Sequence, residues 1–163
     1  MSNRNPTATT RPTGHGKVIE HAASLLIAHS HTALRLSLGL VFLAFGSLKF
    51  VPGLSPAEGL AVATIERLTL GLVSGEAALL LTAVTETVIG LTLLSGRFLR
   101  LGLVLLAGAL VGIMSPLVLF AGDLYLDDGP TLAAQYVFKD LVLAAAGLAV
   151  AARSLGGRLS REE

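Results

Sequence analysis

The sequence predicts an all-α protein: a four-helix transmembrane bundle with an extra amphipathic interfacial helix between spans 1 and 2. Three observations predict it. Of 163 residues, 53% are hydrophobic and 14% charged, with a mean hydropathy of +0.75, whereas an average soluble domain is about 25% charged; a soluble chain this short has too little interior to hide so much apolar surface. The apolar residues gather in repeated runs of about 20, the length that crosses a hydrocarbon core of about 30 Å. The cations also fall on one side of the resulting topology.

Residues 1–16 are rich in Thr, Pro, Gly, Asn and Arg and read as a disordered cytoplasmic tail. Residues 17–30 place Val18, Ala22, Leu25 and Leu26 at helical spacing, as a surface helix or an extension of the first span. Arg35 interrupts the apolar run and no small-residue cleavage site follows, so a cleaved signal peptide is not expected. Span one is predicted over 31–51, span two over 76–94, span three over 98–121 and span four over 131–152, followed by a basic cytoplasmic tail over 153–163.

Between spans one and two, Ser55, Pro56 and Glu58 form a helix-start signature, with a Ser cap, Pro at the first position and Glu reaching back. The helix that follows lines up Ala61, Ile65, Leu68 and Leu72. Glu66 and Arg67 in its middle suit an amphipathic helix in the interface better than a fifth span.

With four spans, the two tails and the loop holding Arg97 and Arg100 share a side that carries eight cations, while Arg67 is alone on the other. Cytoplasmic loops concentrate Lys and Arg, so both termini are expected in the cytoplasm.

Composition also excludes several chemistries. A net charge of +1 gives no footprint for nucleic acid. Without cysteine there is no disulfide, iron–sulfur cluster or thiol nucleophile. His15, His21, His29 and His31 precede the first span or touch its edge, which rules out a haem held between intramembrane histidines, and no metal site is predicted.

The segment AQYVFKDLVLAAAGLAVAA places Lys139 and Asp140 side by side inside an otherwise apolar span. Arg35, Lys49 and Glu86 are the other ionisable residues within spans. In span one Arg35, Gly39, Phe42, Gly46 and Lys49 follow steps of four, three, four and three, which keeps them on one face. Span two groups Thr82, Glu86, Ile89, Gly90 and Leu93. Span four carries a ridge of Tyr136, Asp140, Ala144, Gly147 and Ala151 with Gln135, Lys139 and Leu143 beside it, and span three has Gly108, Gly112 and Ser115 on one side. Small residues let a neighbouring backbone approach.

At about 1.5 Å per residue, Glu86 and Asp140 both lie roughly 13–15 Å below the outer surface, near the midplane. Lys49 ends span one near the outer face, and Arg35 sits near the cytoplasmic one, where it can snorkel. The expected cluster is Glu86, Lys139 and Asp140, with Lys49, Gln135 and Tyr136 above it. Glu86 is expected to face Lys139, leaving Asp140 to Lys49, Tyr136 or Arg35. Such a cluster either fixes helix register or serves as a ligand, quinone or proton site.

LRLSLGLVFLAFGSLKF (34–50), ETVIGLTLLSGRFLRLG (86–102) and QYVFKDLVLAAAGL (135–148) carry a resemblance to the DoxX-like family of small four-span membrane proteins. The matching features are an Arg-to-Gly-to-Lys pattern in span one, Glu-x-x-x-Gly-x-x-Leu-Leu-x-Gly in span two and Lys-Asp before Leu in span four. The resemblance implies a four-helix bundle in the bacterial inner membrane and a polar motif at Arg35, Lys49, Glu86 and Lys139. The family takes its name from a subunit of a thiosulfate:quinone oxidoreductase, and other members look like accessory partners in oxidative-stress or thiol-homeostasis complexes. A redox-linked, quinone-associated accessory subunit is therefore implied, with a membrane-protein partner or a second copy of the chain. A sulfur-handling site that needs cysteine cannot be carried over, so independent enzyme activity is not expected. A small proton-coupled transporter and a purely structural subunit of a larger membrane complex are the rival readings.

Overall fold

The computed structural model describes residues 14–126 and 129–156. The expected tails therefore lie outside the described residues up to residue 13 and from residue 157. Within them the chain forms α1 (Gly14–Leu48), α2 (Glu58–Leu68), α3 (Gly75–Ser95), α4 (Leu99–Met114), α5 (Pro116–Leu119), α6 (Ala121–Leu124), β1 (Tyr125–Leu126), β2 (Gly129–Pro130) and α7 (Leu132–Ser154). Four helical stretches are long and apolar enough to cross a bilayer: Lys17–Leu48, Gly75–Ser95, Leu99–Leu119 and Leu132–Ser154. The architecture is an all-α transmembrane bundle.

Residues 17–30 continue α1 without a break, making a helix of 35 residues. At 1.5 Å per residue that is about 52 Å, well beyond the hydrocarbon thickness of about 30 Å. The third crossing is composite. Pro116 has no N–H to donate to Gly112 and its ring crowds the preceding turn, so α4 stops at Met114 and α5 begins at Pro116. Ser115 replaces the missing donor, its hydroxyl reaching the Gly112 carbonyl at 2.7 Å.

The long helices close a ring. α1 packs on α3, α3 on α4, α4 on α7 and α7 back on α1, so α3 and α7 face each other only across the diagonal. Leu38 and Phe42 of α1, Ile89 and Leu93 of α3, Leu103 and Leu106 of α4 and Val150 of α7 meet in the core. Lipid tails are as apolar as these side chains, so close packing rather than water exclusion holds the helices together. Glycine provides the closest approaches. A Cβ on Gly90 would lie 2.6 Å from the Leu43 backbone nitrogen, and one on Gly46 would lie 2.8 Å from that of Thr87. Gly108 and Gly112 behave differently: a Cβ at either meets nothing within 4 Å, so the GxxxG of span three does not pack inside the bundle.

α2 lies between the first two crossings and packs mainly on α3. Its start differs from the expected capping box. The helix begins at Glu58 with Ala57 at the cap, because residues Ser55–Glu58 first form a turn in which Glu58 N–H donates to the Ser55 carbonyl at 3.2 Å. That turn directs Ser55 inward, where its hydroxyl has no partner. Glu58 does reach back, accepting the Gly53 N–H at 2.7 Å.

Candidate functional site

The site is built on the α1–α3 contact. The α1 face bearing Arg35, Gly39, Phe42, Gly46 and Lys49 is the face laid against α3. Gly39 and Gly46 admit Leu93 and Thr87, while Leu38 and Phe42 enter the core. The two cations at the ends of this face then meet two different features of the same neighbour.

Arg35 caps α3. Its guanidinium donates to the Leu93 carbonyl and, at 3.4 Å, to that of Leu94. The last carbonyls of a helix lack intrahelical donors and carry partial negative charge, so a cation there is both hydrogen-bonded and favoured electrostatically. Gly96 ends α3 at φ 69, and a Cβ there would sit 3.2 Å from the guanidinium. Arg35 is thus held at the end of the α1–α3 seam where α3 terminates.

Lys49 follows the last residue of α1, and its Nζ lies 2.6 Å from Glu86 Oε2 in a salt bridge whose side chains are 6% and 12% exposed. The ammonium also lies 3.5 Å from the Phe45 carbonyl and 6.0 Å from the Phe45 ring centroid. Next to Glu86, the Thr87 hydroxyl is buried without a hydrogen-bond partner. Neither Thr87 nor Phe45 is among the residues that the sequence pattern selects. Thr87 stands one turn before Gly90 on α3, and that spacing is the available clue to its place on the α1 seam.

Glu86 therefore pairs with Lys49, not with Lys139 as expected. Helix order is the reason: α1 stands between α3 and α7 in the ring, and Lys139 lies on the outer side of α7. Successive helix residues are rotated by about 100°, so Lys139 and Asp140 cannot both look inward. Asp140, on the side of Val137 and Gly147, is half-buried, and among the described residues it forms no ion pair. Lys139 is exposed, with its Nζ 4.7 Å from the Tyr136 ring centroid, a cation–π distance.

The first turns of α7 are well tied. Thr131 caps the helix by accepting the Ala134 N–H at 3.2 Å. Gln135 Nε2 donates to the Pro130 carbonyl at 3.4 Å, and Tyr125 meets Phe138 edge-on with ring centroids 6.3 Å apart. The sequence-selected residues thus divide into four groups: Lys49 and Glu86 paired, Asp140 half-buried on α7, Lys139, Tyr136 and Gln135 exposed on α7, and Arg35 on the α3 terminus.

A buried lysine against a carboxylate can exchange a proton within the pair. It can also open to a ligand oxygen that replaces Glu86 as acceptor. Four apolar crossings around such a pair define a polytopic helical membrane protein with an intramembrane charge centre. The chain belongs to the DoxX family, whose family model matches residues 30–122. The matched region holds Arg35, Lys49 and Glu86 and ends before Gln135, Tyr136, Lys139 and Asp140. No curated protein and no solved structure matches the chain.

Proposed function

We propose that this DoxX-family protein is a redox-linked accessory subunit of the bacterial inner membrane, with both termini cytoplasmic, and that its polar centre receives a quinone headgroup. The buried Lys49–Glu86 pair is the observation that carries this reading. Ionisable residues within membrane spans are expensive and face functional cavities or partners. A quinone, when bound, supplies two-electron redox chemistry that a chain without cysteine or intramembrane histidine pairs does not supply itself.

The donor set fits such a group. The Lys49 ammonium donates to a carbonyl oxygen, and the unpartnered Thr87 hydroxyl is available beside it. Glu86 holds the proton or gives it up as Lys49 changes partner, and the half-buried Asp140 biases that exchange. Lys139, Tyr136 and Gln135 form an outer rim for the membrane-protein partner or second copy that delivers electrons. Arg35 keeps α1 in register with α3.

The test uses purified full-length protein in lipid with a soluble quinone analogue. Binding is expected, weakened about tenfold or more by Lys49→Met, since a hydrogen bond from a charged donor is worth about 1.5–3 kcal/mol. If the wild-type protein binds no quinone, and Glu86→Gln leaves a co-purifying partner's quinone reduction unchanged, the proposal is wrong.

A further inference from the structure

A cavity of about 540 Å³ opens beside the C-terminal end of α2, walled by Ala63, Glu66, Arg67, Leu70, Gly71 and Phe120. By connectivity it lies at the end of the bundle where the α1–α3 and α4–α7 connections run, opposite the Arg35 end. Its wall holds one anion and one cation, and among the described residues neither takes part in a salt bridge. Glu66 Oε1 accepts the Gly75 N–H at 3.3 Å, which ties the following loop to the helix and leaves Oε2 open.

That loop is firmly shaped. Gly71 N–H donates to the Glu66 carbonyl at 2.8 Å, while the Thr69 hydroxyl donates to Ile65 at 2.7 Å and accepts the Val73 N–H at 3.1 Å. The bonds hold Leu70 at φ 54, a left-handed conformation that crowds its Cβ. Leu70 is also 91% exposed and Leu72 88% exposed. An interface of acyl chains and headgroups, unlike water, gives two such leucines favourable surroundings.

We propose that this cavity binds a phospholipid whose headgroup carries both a phosphate and a primary ammonium, a phosphoethanolamine lipid of the adjoining leaflet. The ammonium meets Glu66 at the carbonyl end of α2, where the helix dipole also favours a cation. The phosphate meets the Arg67 guanidinium, which presents paired donors. The acyl chains pass Leu70, Leu72 and Phe120. A phosphoglycerol headgroup brings no cation to Glu66, and a choline brings a cation with no N–H to donate. The charge pattern therefore selects among lipids as well as attracting them.

The test reconstitutes the full chain in nanodiscs made of equal parts of phosphoethanolamine, phosphoglycerol and phosphocholine lipids with identical acyl chains, and counts retained lipids by native mass spectrometry. The ethanolamine lipid is expected to be retained about tenfold over the other two, the worth of one hydrogen bond to a charged group. Glu66→Gln abolishes that preference, whereas Arg67→Gln lowers retention of all three lipids together. Equal retention by the wild type, a preference for phosphoglycerol, or an ethanolamine preference that survives Glu66→Gln would each overturn the assignment. Should a variant fail to fold, the wild-type ranking decides alone.

Discussion

Replacing Glu86 by Leu removes both the counter-charge and the acceptor of a lysine that is 6% exposed. What remains near Nζ is the Phe45 carbonyl at 3.5 Å and the Phe45 ring at 6.0 Å, neither of which balances a full charge. Breaking a buried pair from one side costs about 3–5 kcal/mol, while replacing both partners by apolar groups of similar volume is often neutral. Glu86→Leu and Lys49→Met should each destabilise the bundle by about 3–5 kcal/mol, and the double variant Lys49→Met/Glu86→Leu should recover most of that loss. Reversible unfolding in bicelles or mixed micelles, analysed as a double-mutant cycle, reads the coupling directly. Single losses below about 1 kcal/mol, the range of an exposed ion pair, or losses that simply add in the double variant, would refute a desolvated pair at this position.

Two further outcomes test the seam. Gly90→Ala drives a Cβ to 2.6 Å from backbone that has no rotamer to yield, so it should cost about 1–3 kcal/mol, whereas Gly108→Ala meets nothing within 4 Å and should gain up to about 1 kcal/mol from helix propensity; the same unfolding assay compares them. Arg35→Met strips the donors from the end of α3 and should lower stability by about 0.5–2 kcal/mol, with hydrogen exchange at Gly96 rising while that of α7 stays unchanged.

Much of this fold can be read from sequence because a bilayer leaves few choices. Backbone groups in hydrocarbon must be satisfied internally, so long apolar runs become helices. The α1 face was legible for the same reason: steps of three and four fix which residues point one way, and Arg35, Gly39, Phe42, Gly46 and Lys49 do meet α3 together. What such spacing cannot encode is the neighbour. Glu86 and Lys139 each looked like the other's natural counter-ion, yet the order of helices around the ring puts α1 between them. Gly108 and Gly112 show the same limit, since lipid and a packed helix are both apolar and a small-residue stripe suits either. Ser55 shows the limit one scale lower, where a preceding turn moves the helix start to Glu58 and leaves the hydroxyl facing inward.

The central claim is that Glu86 is answered from α1, so the most direct measurement is charge exchange across the pair. Glu86→Lys alone should collapse the folded yield in membranes by placing two ammonium groups at a 2.6 Å contact. Adding Lys49→Glu should restore it, and adding Lys139→Glu should not. Rescue by Lys139→Glu with none from Lys49→Glu would contradict the account.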